Sequence, residues 1–251
     1  MGSLFEEHET HPVSVERVHG QSPFFLTCDH ASNRIPESLG TLGLEAADLQ
    51  RHIAWDIGAA EVSRHLSEQL DATLVLQNYS RLVVDCNRPQ ESEQLIPLQS
   101  ERTVIPGNQT LSEMAREQRR TEIFIPYHDA ITELLDRREQ QGSTVFVAIH
   151  SFTPVYLDDE RPWHIGVLYN DDARIASPML EQLRAEDGLC IGENEPYRLD
   201  HNDYGIPVHG EGRGIPHVLI EIRQDLVNSK RGAEQWASRL AKQLSNAVAT
   251  L

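Results

Sequence analysis

The chain contains 251 residues, of which 39% are hydrophobic and 24% charged, a composition typical of a folded globular protein rather than a disordered or fibrous one. Its 22 basic and 39 acidic residues give a formal net charge of −17, which repels nucleic-acid phosphates and anionic lipid headgroups. No apolar run approaches the roughly 20 residues needed to cross a bilayer, and the first ten residues lack the pattern of a secretion signal. We therefore expect no nucleic-acid partner and no membrane segment.

Cysteine usage bears on the compartment. The three cysteines, Cys28, Cys86 and Cys190, are odd in number, widely spaced and without a Cys-x-x-Cys pair. This pattern favours a reducing, cytoplasmic location over a disulfide framework.

Strand-like runs alternate with helical runs, and no repeat or Gly/Ser linker divides them. We expect a flexible N-terminal tail over residues 1–20 and a single α/β domain over residues 21–251. Six short runs rich in branched residues are predicted to form strands of a mixed, mostly parallel sheet flanked by helices. These runs are residues 24–28, 73–76, 82–84, 144–149, 165–169 and 218–222.

Helices are predicted between the strands. A helix opens near Asp56, and residues 111–140 form a long charged helix or helix pair that bends at Pro126. Residues 178–187 and the segment from about Gly232 onward form two further helices, the last with apolar side chains four apart. The glycine-rich stretch 192–216 has no period of its own and is predicted to be a long loop.

Polar side chains follow several of the apolar runs. In open α/β sheets, ligands bind beyond the carboxyl ends of the strands, so these side chains are expected to line one rim. They are Asp29, His30, Asp85, Asn87, Arg88, His150, Glu221 and Arg223.

Two of these residues are the imidazoles His30 and His150, which with a carboxylate make the ligand set of a catalytic zinc. The third ligand is expected to be Asp56, because the amide oxygen of Asn33 is a weaker ligand. Asp29 is adjacent to His30, but consecutive side chains in a strand point to opposite faces. The alternative interpretation is that the histidines are structural, hydrogen-bonded residues.

Glu221 lies inside an apolar run, where a carboxylate needs a partner. It is either a general base that later acts as an acid, or half of an ion pair with Arg223 or Arg213. Arg88, beside Asn87, suits recognition of a substrate carboxylate.

Three further residues are assigned to the same pocket. Arg81 is expected to stabilise an oxyanion, with a role at the protein surface as the alternative, and His209 and Arg213 to close over a ligand. Cys28 is either a thiolate nucleophile or a buried structural cysteine, and the second state is favoured. The sequence lacks a Gly-x-Ser-x-Gly elbow, a phosphate-binding loop and a dinucleotide-binding motif.

Five ordered segments resemble the N-formylglutamate amidohydrolase family, a likeness that runs from about residue 24 to residue 226. The segments are residues 28–36 (CDHASNRIP), 55–56 (WD), 79–89 (YSRLVVDCNRP), 149–152 (IHSF) and 214–223 (GIPHVLIEIR). That family is similar to the zinc carboxypeptidases, which implies a mixed sheet flanked by helices and a zinc ion bound to each chain.

The resemblance also implies roles for individual residues. His30 and His150 match two metal ligands, Asn87 and Arg88 match a pair that grips a terminal carboxylate, and Glu221 matches the catalytic glutamate. The carboxypeptidase pattern has Glu where this chain has Asn33, and we expect Asp56 to replace it.

The implied activity is hydrolysis of a small anionic substrate, N-formyl-L-glutamate, to glutamate and formate in histidine breakdown, with zinc or another divalent metal. The alternatives are a zinc peptidase, a deacylase of other N-acyl amino acids, or a non-catalytic binding protein for an acidic ligand.

Overall fold

The alternation of strand-forming and amphipathic runs is realised in the computed structural model, which describes residues 2–140 and 142–251 and forms eleven strands and five α-helices there. The strands are β1 (Val13–Glu16), β2 (Phe24–Cys28), β3 (Thr73–Gln77), β4 (Gln99–Ser100), β5 (Thr103–Val104), β6 (Val145–Phe152), β7 (Val155–Tyr156), β8 (Asp159–Glu160), β9 (Ile165–Leu168), β10 (Ile191–Glu193) and β11 (His217–Arg223). The helices are α1 (Ala59–Leu70), α2 (Glu113–Arg119), α3 (Ile125–Glu139), α4 (Ala176–Arg184) and α5 (Lys230–Val248).

Seven strands form the main sheet, in the order β1-β3-β2-β6-β11-β9-β10. The central strands β3, β2, β6 and β11 are parallel, whereas β1 is antiparallel to β3 and β9 is antiparallel to β11. The predicted mixed, mostly parallel sheet is therefore confirmed. The carboxyl ends of the four central strands meet at one edge, as parallel strands require.

Both faces of this sheet are covered, which explains why its strands read as continuous apolar runs. One face packs against α1, α4 and α5, whose buried side chains include Leu66, Met179 and Leu240. The other face packs against α3 and the segments around residues 79–108 and 199–215. His150 and Glu221 alternate toward this second face, together with Ala148 and Leu219 of the same strands.

The long charged segment is a helix pair with an interruption. A π-helical turn, Arg120–Phe124, separates α2 from α3 just before Pro126, which has no amide hydrogen to donate. In the last helix the side chain of Ser229 accepts a hydrogen bond from the amide of Gly232, and a buried stripe that includes Trp236 faces the sheet. Stretch 192–216 is mostly irregular but contains a π-helical turn, Ile206–Gly210, and a 3₁₀ turn, Glu211–Arg213.

The strand predicted over residues 82–84 is wrong. These three apolar residues are buried, but Leu82 and Val83 lie in a turn and Val84 has no regular structure. The amide of Val83 donates to the carbonyl oxygen of Ser80 (2.9 Å). The carbonyl of Leu82 accepts from Asn108 Nδ2 (2.8 Å), and that of Val83 accepts from Arg119 Nη1 (3.1 Å). Buried backbone groups must be paired, and here side chains pair them instead of a neighbouring strand.

Parts of the N-terminal segment, residues 1–20, pack against the rest of the domain. Residues 13–16 form β1, which pairs with β3, and Leu4 is buried. Tyr79 Oη donates to the carbonyl oxygen of Thr10 (2.7 Å) and adds a further tie to the core. A four-residue edge strand carries too weak a pattern to be recognised alone, and Met1 lies outside the described residues.

Among the described residues, none of the helices has both the length and the apolar character that crossing a bilayer requires.

Candidate active site

His30 and His150 reach one point from neighbouring strands. His30 follows the end of β2 by two residues, and His150 lies within β6, which runs on to Phe152 rather than ending at residue 149 as predicted. Asp56 precedes α1, and its amide donates to the carbonyl oxygen of His30 (3.0 Å). One side-chain N or O atom from each of His30, Asp56 and His150 lies within 4.8 Å of the other two.

The carboxylate of Asp56 stands between the two rings. Its Oδ2 is 3.3 Å from Nδ1 of His30 and 2.8 Å from Nδ1 of His150. The amide of Ser151 also donates to Oδ2, at 3.3 Å. His30, Asp56 and His150 are each at most 3% exposed, so their geometry is fixed by the surrounding protein.

The outer nitrogen of each ring faces a second carboxylate. His30 Nε2 lies 2.7 Å from Asp85 Oδ1, and His150 Nε2 lies 3.1 Å from Asp29 Oδ2. The hydroxyl of Tyr127 donates to the other oxygen of Asp29 (2.6 Å). Imidazoles that bind metals typically donate their remaining N–H to a carboxylate in this way, which fixes the ring and raises its basicity.

The charges around this point suit a divalent cation. Three buried carboxylates, Asp29, Asp56 and Asp85, contact the two imidazoles, and Arg81 pairs with Asp85 and Asp56. When the imidazoles are neutral, these three carboxylates and one guanidinium leave two negative charges uncompensated. The donor set of two imidazole nitrogens and one carboxylate oxygen is one that zinc accepts. The residues therefore fit the metal that the sequence implies.

Protons compete for the same nitrogens. Burial and the charge of Arg81 lower the pKa of His30, but Asp85 and Asp56 outweigh them and leave that pKa raised. Burial also lowers the pKa of His150, yet its contacts with Asp29 and Asp56 leave it well above the ordinary value. Metal binding to such rings displaces protons.

Glu221 lies beside His150 in the register of β11 and β6, and parallel partners in register point to the same face. Its Oε2 is buried and has no hydrogen-bond partner among the described residues. Neither expected ion pair forms, because Arg223 binds Asp225 and Arg213 binds Asp136 and Glu139. Burial raises the pKa of Glu221 to about 7, against the opposing charge of His150. A carboxyl group with this pKa suits proton transfer at neutral pH.

Arg81 lies against the same cluster. Its Nε and Nη2 donate to Asp85 Oδ2 at 2.9 and 2.6 Å, and its Nη1 is 3.6 Å from Asp56 Oδ1. Burial opposes the charge, but Asp85 and Asp56 hold the pKa of this guanidinium above its usual range. A fixed cation beside the cluster is placed to stabilise negative charge that develops there.

Asn87 and Arg88 hold the segment around residue 203. The side chain of Asn87 donates to Asp203 and accepts from the amides of Tyr204 and Gly205, at 3.0 to 3.1 Å. Arg88 uses Nη1 for the carbonyl oxygen of Asn202 (3.1 Å) and for Asp203 (3.5 Å). All hydrogen bonds of Arg88 to the described residues use Nη1, so its Nε and Nη2 are left for another carboxylate.

The other two residues expected in the pocket have different partners. His209 is buried, and its Nε2 lies 2.9 Å from Nδ1 of His128. Nε2 of His128 is 2.9 Å from the carbonyl oxygen of Cys86, which only accepts, so His128 Nδ1 accepts from His209. Arg213 is paired with the acids of α3 described above. Among the described residues, neither His209 nor Arg213 belongs to the group of His30, Asp56 and His150 that could hold a metal.

The buried histidine pair predicts a pH-dependent stability. Burial lowers the pKa of His128 to about 4 and that of His209 to about 3, below the value near 6.5 of an unfolded histidine. The unfolded chain therefore binds protons first as pH falls, so the stability contributed by the neutral rings is complete above about pH 6.5 and declines below it. His209→Gln keeps a donor to His128 but does not titrate. We expect this variant to lose about 2 kcal/mol less stability than the wild type between pH 7.5 and pH 5, measured by urea unfolding. Equal losses in both proteins would contradict the assignment.

The structure does not favour Asn33 as a metal ligand or Cys28 as a nucleophile. Asn33 Nδ2 donates to the carbonyl oxygen of Leu49 (2.8 Å), which engages this amide away from the cluster. Cys28 is buried, and burial raises the pKa of its thiol well above the ordinary value, so it is not a thiolate at neutral pH. This favours the structural interpretation of Cys28.

Sequence reasoning missed the roles of Asp29, Asp85 and Tyr127. Asp29 was assigned to the opposite face because strand alternation was assumed to continue, but β2 ends at Cys28 and a turn brings both Asp29 and His30 inward. Asp85 stands at a predicted strand end but received no role. No local signal marks Tyr127, which comes from α3.

Comparison with known proteins adds the family. The chain is similar to a gene product of Agrobacterium tumefaciens of known structure, with 40% identity, 98% of each chain covered and a TM-score of 0.94. It shares its fold with the N-formylglutamate amidohydrolase of Ralstonia eutropha JMP134, with 16% identity, 94% of this chain and 99% of that chain covered, and a TM-score of 0.72. The search of curated proteins returned no match. The family model described as N-formylglutamate amidohydrolase matches residues 22–228, which include every residue of the cluster, and the chain belongs to this amidohydrolase family.

Proposed function

We propose that this chain is a metal-dependent amidohydrolase of N-acyl amino acids that cleaves N-formyl-L-glutamate to L-glutamate and formate. The observation that carries the proposal is the convergence of His30, Asp56 and His150 on one point, beside a buried carboxyl group with a pKa near neutrality. In the proposal these three residues hold one zinc or another divalent ion. When bound, such an ion supplies Lewis acidity and acidifies water.

The protein groups supply proton transfer and charge stabilisation. Glu221 accepts a proton from the attacking water and returns it to the nitrogen of the departing amine, which completes hydrolysis of the amide bond. Arg81 stabilises the negative charge that develops on the acyl oxygen. Asp29 and Asp85 keep the two imidazoles oriented through their outer nitrogens.

Recognition of the substrate is assigned to Asn87 and Arg88. The free Nε and Nη2 of Arg88 match the two oxygens of an α-carboxylate, and Asn87 holds the adjacent segment in place. The name of the Ralstonia eutropha protein supports a formyl group and a glutamate. The free state of all three cysteines supports the cytoplasmic location expected from the sequence.

The test is turnover together with metal content. We expect the purified protein to hold about one divalent ion per chain, to hydrolyse N-formyl-L-glutamate, and to lose activity to a chelator with recovery on added zinc. N-acetyl-glutamate and short peptides serve as comparison substrates. Preferential cleavage of those substrates would favour the deacylase or peptidase alternatives, and no metal binding with no rescue by zinc would favour the binding protein.

A further inference from the structure

Arg161 lies in the connection between β8 and β9 and is held by aromatic rings. Its guanidinium carbon is 4.7 Å from the ring centroids of both Tyr156 and Tyr197 and 6.0 Å from that of Phe152. Its Nη1 also donates to the hydroxyl of Tyr197 (2.7 Å). Contacts with ring faces fix the plane of a guanidinium and leave its N–H groups free at the edge.

This arrangement stands at the rim of the candidate active site. Phe152 is two residues beyond His150 on β6, so both side chains point to the same face about 7 Å apart along the strand. Tyr197 is close enough to the centre for the charges of Glu221 and Arg81 to act on it. Burial and Glu221 raise the pKa of its hydroxyl, whereas Arg161 and Arg81 lower it.

The charge of Arg161 has no protein counter-ion. Across residues 2–140 and 142–251, no carboxylate forms an ion pair with it, although the chain has a net charge of −17. By contrast, Arg102 pairs with Asp158 in the turn between β7 and β8, only three residues before Arg161. A held cation without a partner, at the rim of a cluster of acids, is suited to an anion that arrives with the substrate.

The geometry points to Arg161 as the residue that binds the side-chain carboxylate of an acidic N-acyl amino acid, while Arg88 binds its α-carboxylate. This inference rests on the proposed function and deepens it, because it names the residue that distinguishes an acidic side chain of the substrate from a neutral one. The two arginines come from different segments, one after residue 85 and one after β8. Each therefore binds its carboxylate independently of the other. Tyr156 and Tyr197 act as positioning residues for the Arg161 guanidinium.

The experiment compares N-formyl-L-glutamate with N-formyl-L-glutamine, which has the same shape but a neutral side chain. For Arg161→Ala we expect KM for the glutamate derivative to rise about 10- to 100-fold, with kcat and the KM for the glutamine derivative nearly unchanged. Arg161→Lys keeps the charge but lacks the planar guanidinium. We expect its KM for the glutamate derivative to lie between those of the wild type and Arg161→Ala. Arg88→Ala is expected to raise KM equally for both substrates. The surface variant Arg102→Ala is expected to change KM for neither.

Binding of glutarate and butyrate, measured by calorimetry on the same proteins, tests the contact without turnover. Arg161→Ala is expected to lose most of the preference for the dicarboxylate. An unchanged preference, or equal losses on the glutamate and glutamine derivatives, overturns the role of Arg161. Failure of the wild type to hydrolyse any N-formyl amino acid counts instead against the proposed function, and the calorimetry then decides on Arg161 alone.

Discussion

Replacing Glu221 with glutamine is expected to lower kcat for N-formylglutamate hydrolysis by about 100- to 10,000-fold, the usual contribution of a general acid and base. Glutamine has the same shape but can neither accept the proton of water nor return it to the amine. The register of β11 against β6 places Glu221 beside His150, and burial raises its pKa to about 7. Both the protonated and the ionised carboxyl group are therefore populated at neutral pH. Glu221 needs both states, because it accepts a proton in the first step and donates it in the second.

Stability and metal content separate this role from a structural one. Oε2 of Glu221 is buried without a hydrogen-bond partner among the described residues, so removal of its charge removes a cost of burial. We expect Glu221→Gln to keep one metal per chain and a Tm equal to or above that of the wild type. Glu160→Gln, on the exposed strand β8, is the matched control. A nearly unchanged kcat, or a loss that follows metal content, would refute the assignment.

The sequence was informative wherever chemistry coincided with the end of an apolar run. His30 and Glu221 could be placed because the runs before or around them read as buried strands, and the sheet confirms those runs at residues 24–28 and 217–223. Asp56 could be placed as the acid that opens the following helical segment. Its carboxylate then meets both rings because backbone hydrogen bonding ties Asp56 to His30.

The residues that contact the two histidines from outside, Asp29, Asp85 and Tyr127, could not be predicted. Turn geometry and contacts between distant parts of the sequence determine their positions. Residues 82–84 carry the composition of a strand, yet Asn108 and Arg119 pair the backbone carbonyls of Leu82 and Val83 in the segment that precedes Asp85. Arg119 is a buried cation whose pKa burial lowers to about 10, and no pattern near residue 119 indicates its partner 36 positions earlier. Hydrophobic periodicity reports burial, whereas it carries no information about which side chain pairs a buried carbonyl.

The same reasoning applies to Arg213 and His209. The glycine-rich sequence around these residues predicts that they close over a ligand. In the structure, a π-helical turn and a 3₁₀ turn give the segment local structure. Two ion pairs to α3 then hold Arg213, and the contact with His128 holds His209. Composition indicated an irregular segment correctly, and only side-chain pairing determined where its charged groups go.

Asp29 and Asp85, the carboxylates that face Nε2 of the two histidines, are expected to strengthen zinc binding. His150→Ala removes a ligand and is expected to abolish tight zinc binding. Asp29→Asn leaves all three proposed ligands in place and removes only the negative charge that faces His150 Nε2. A neutral acceptor makes the imidazole less basic and less firmly oriented, so we expect zinc affinity to fall about 10- to 100-fold.

Zinc competition with a chromophoric chelator measures both effects on proteins whose folding is checked by thermal unfolding. Asp158→Asn, an exposed acid in the turn between β7 and β8, controls for the loss of one negative charge. Because Asp29→Asn weakens affinity without removing a ligand, excess zinc is expected to restore most of its kcat, whereas His150→Ala recovers little at any zinc concentration. A wild-type zinc affinity in Asp29→Asn would contradict the orienting role of this carboxylate. Tight binding of one zinc by His150→Ala would contradict the assignment of His150 as a ligand.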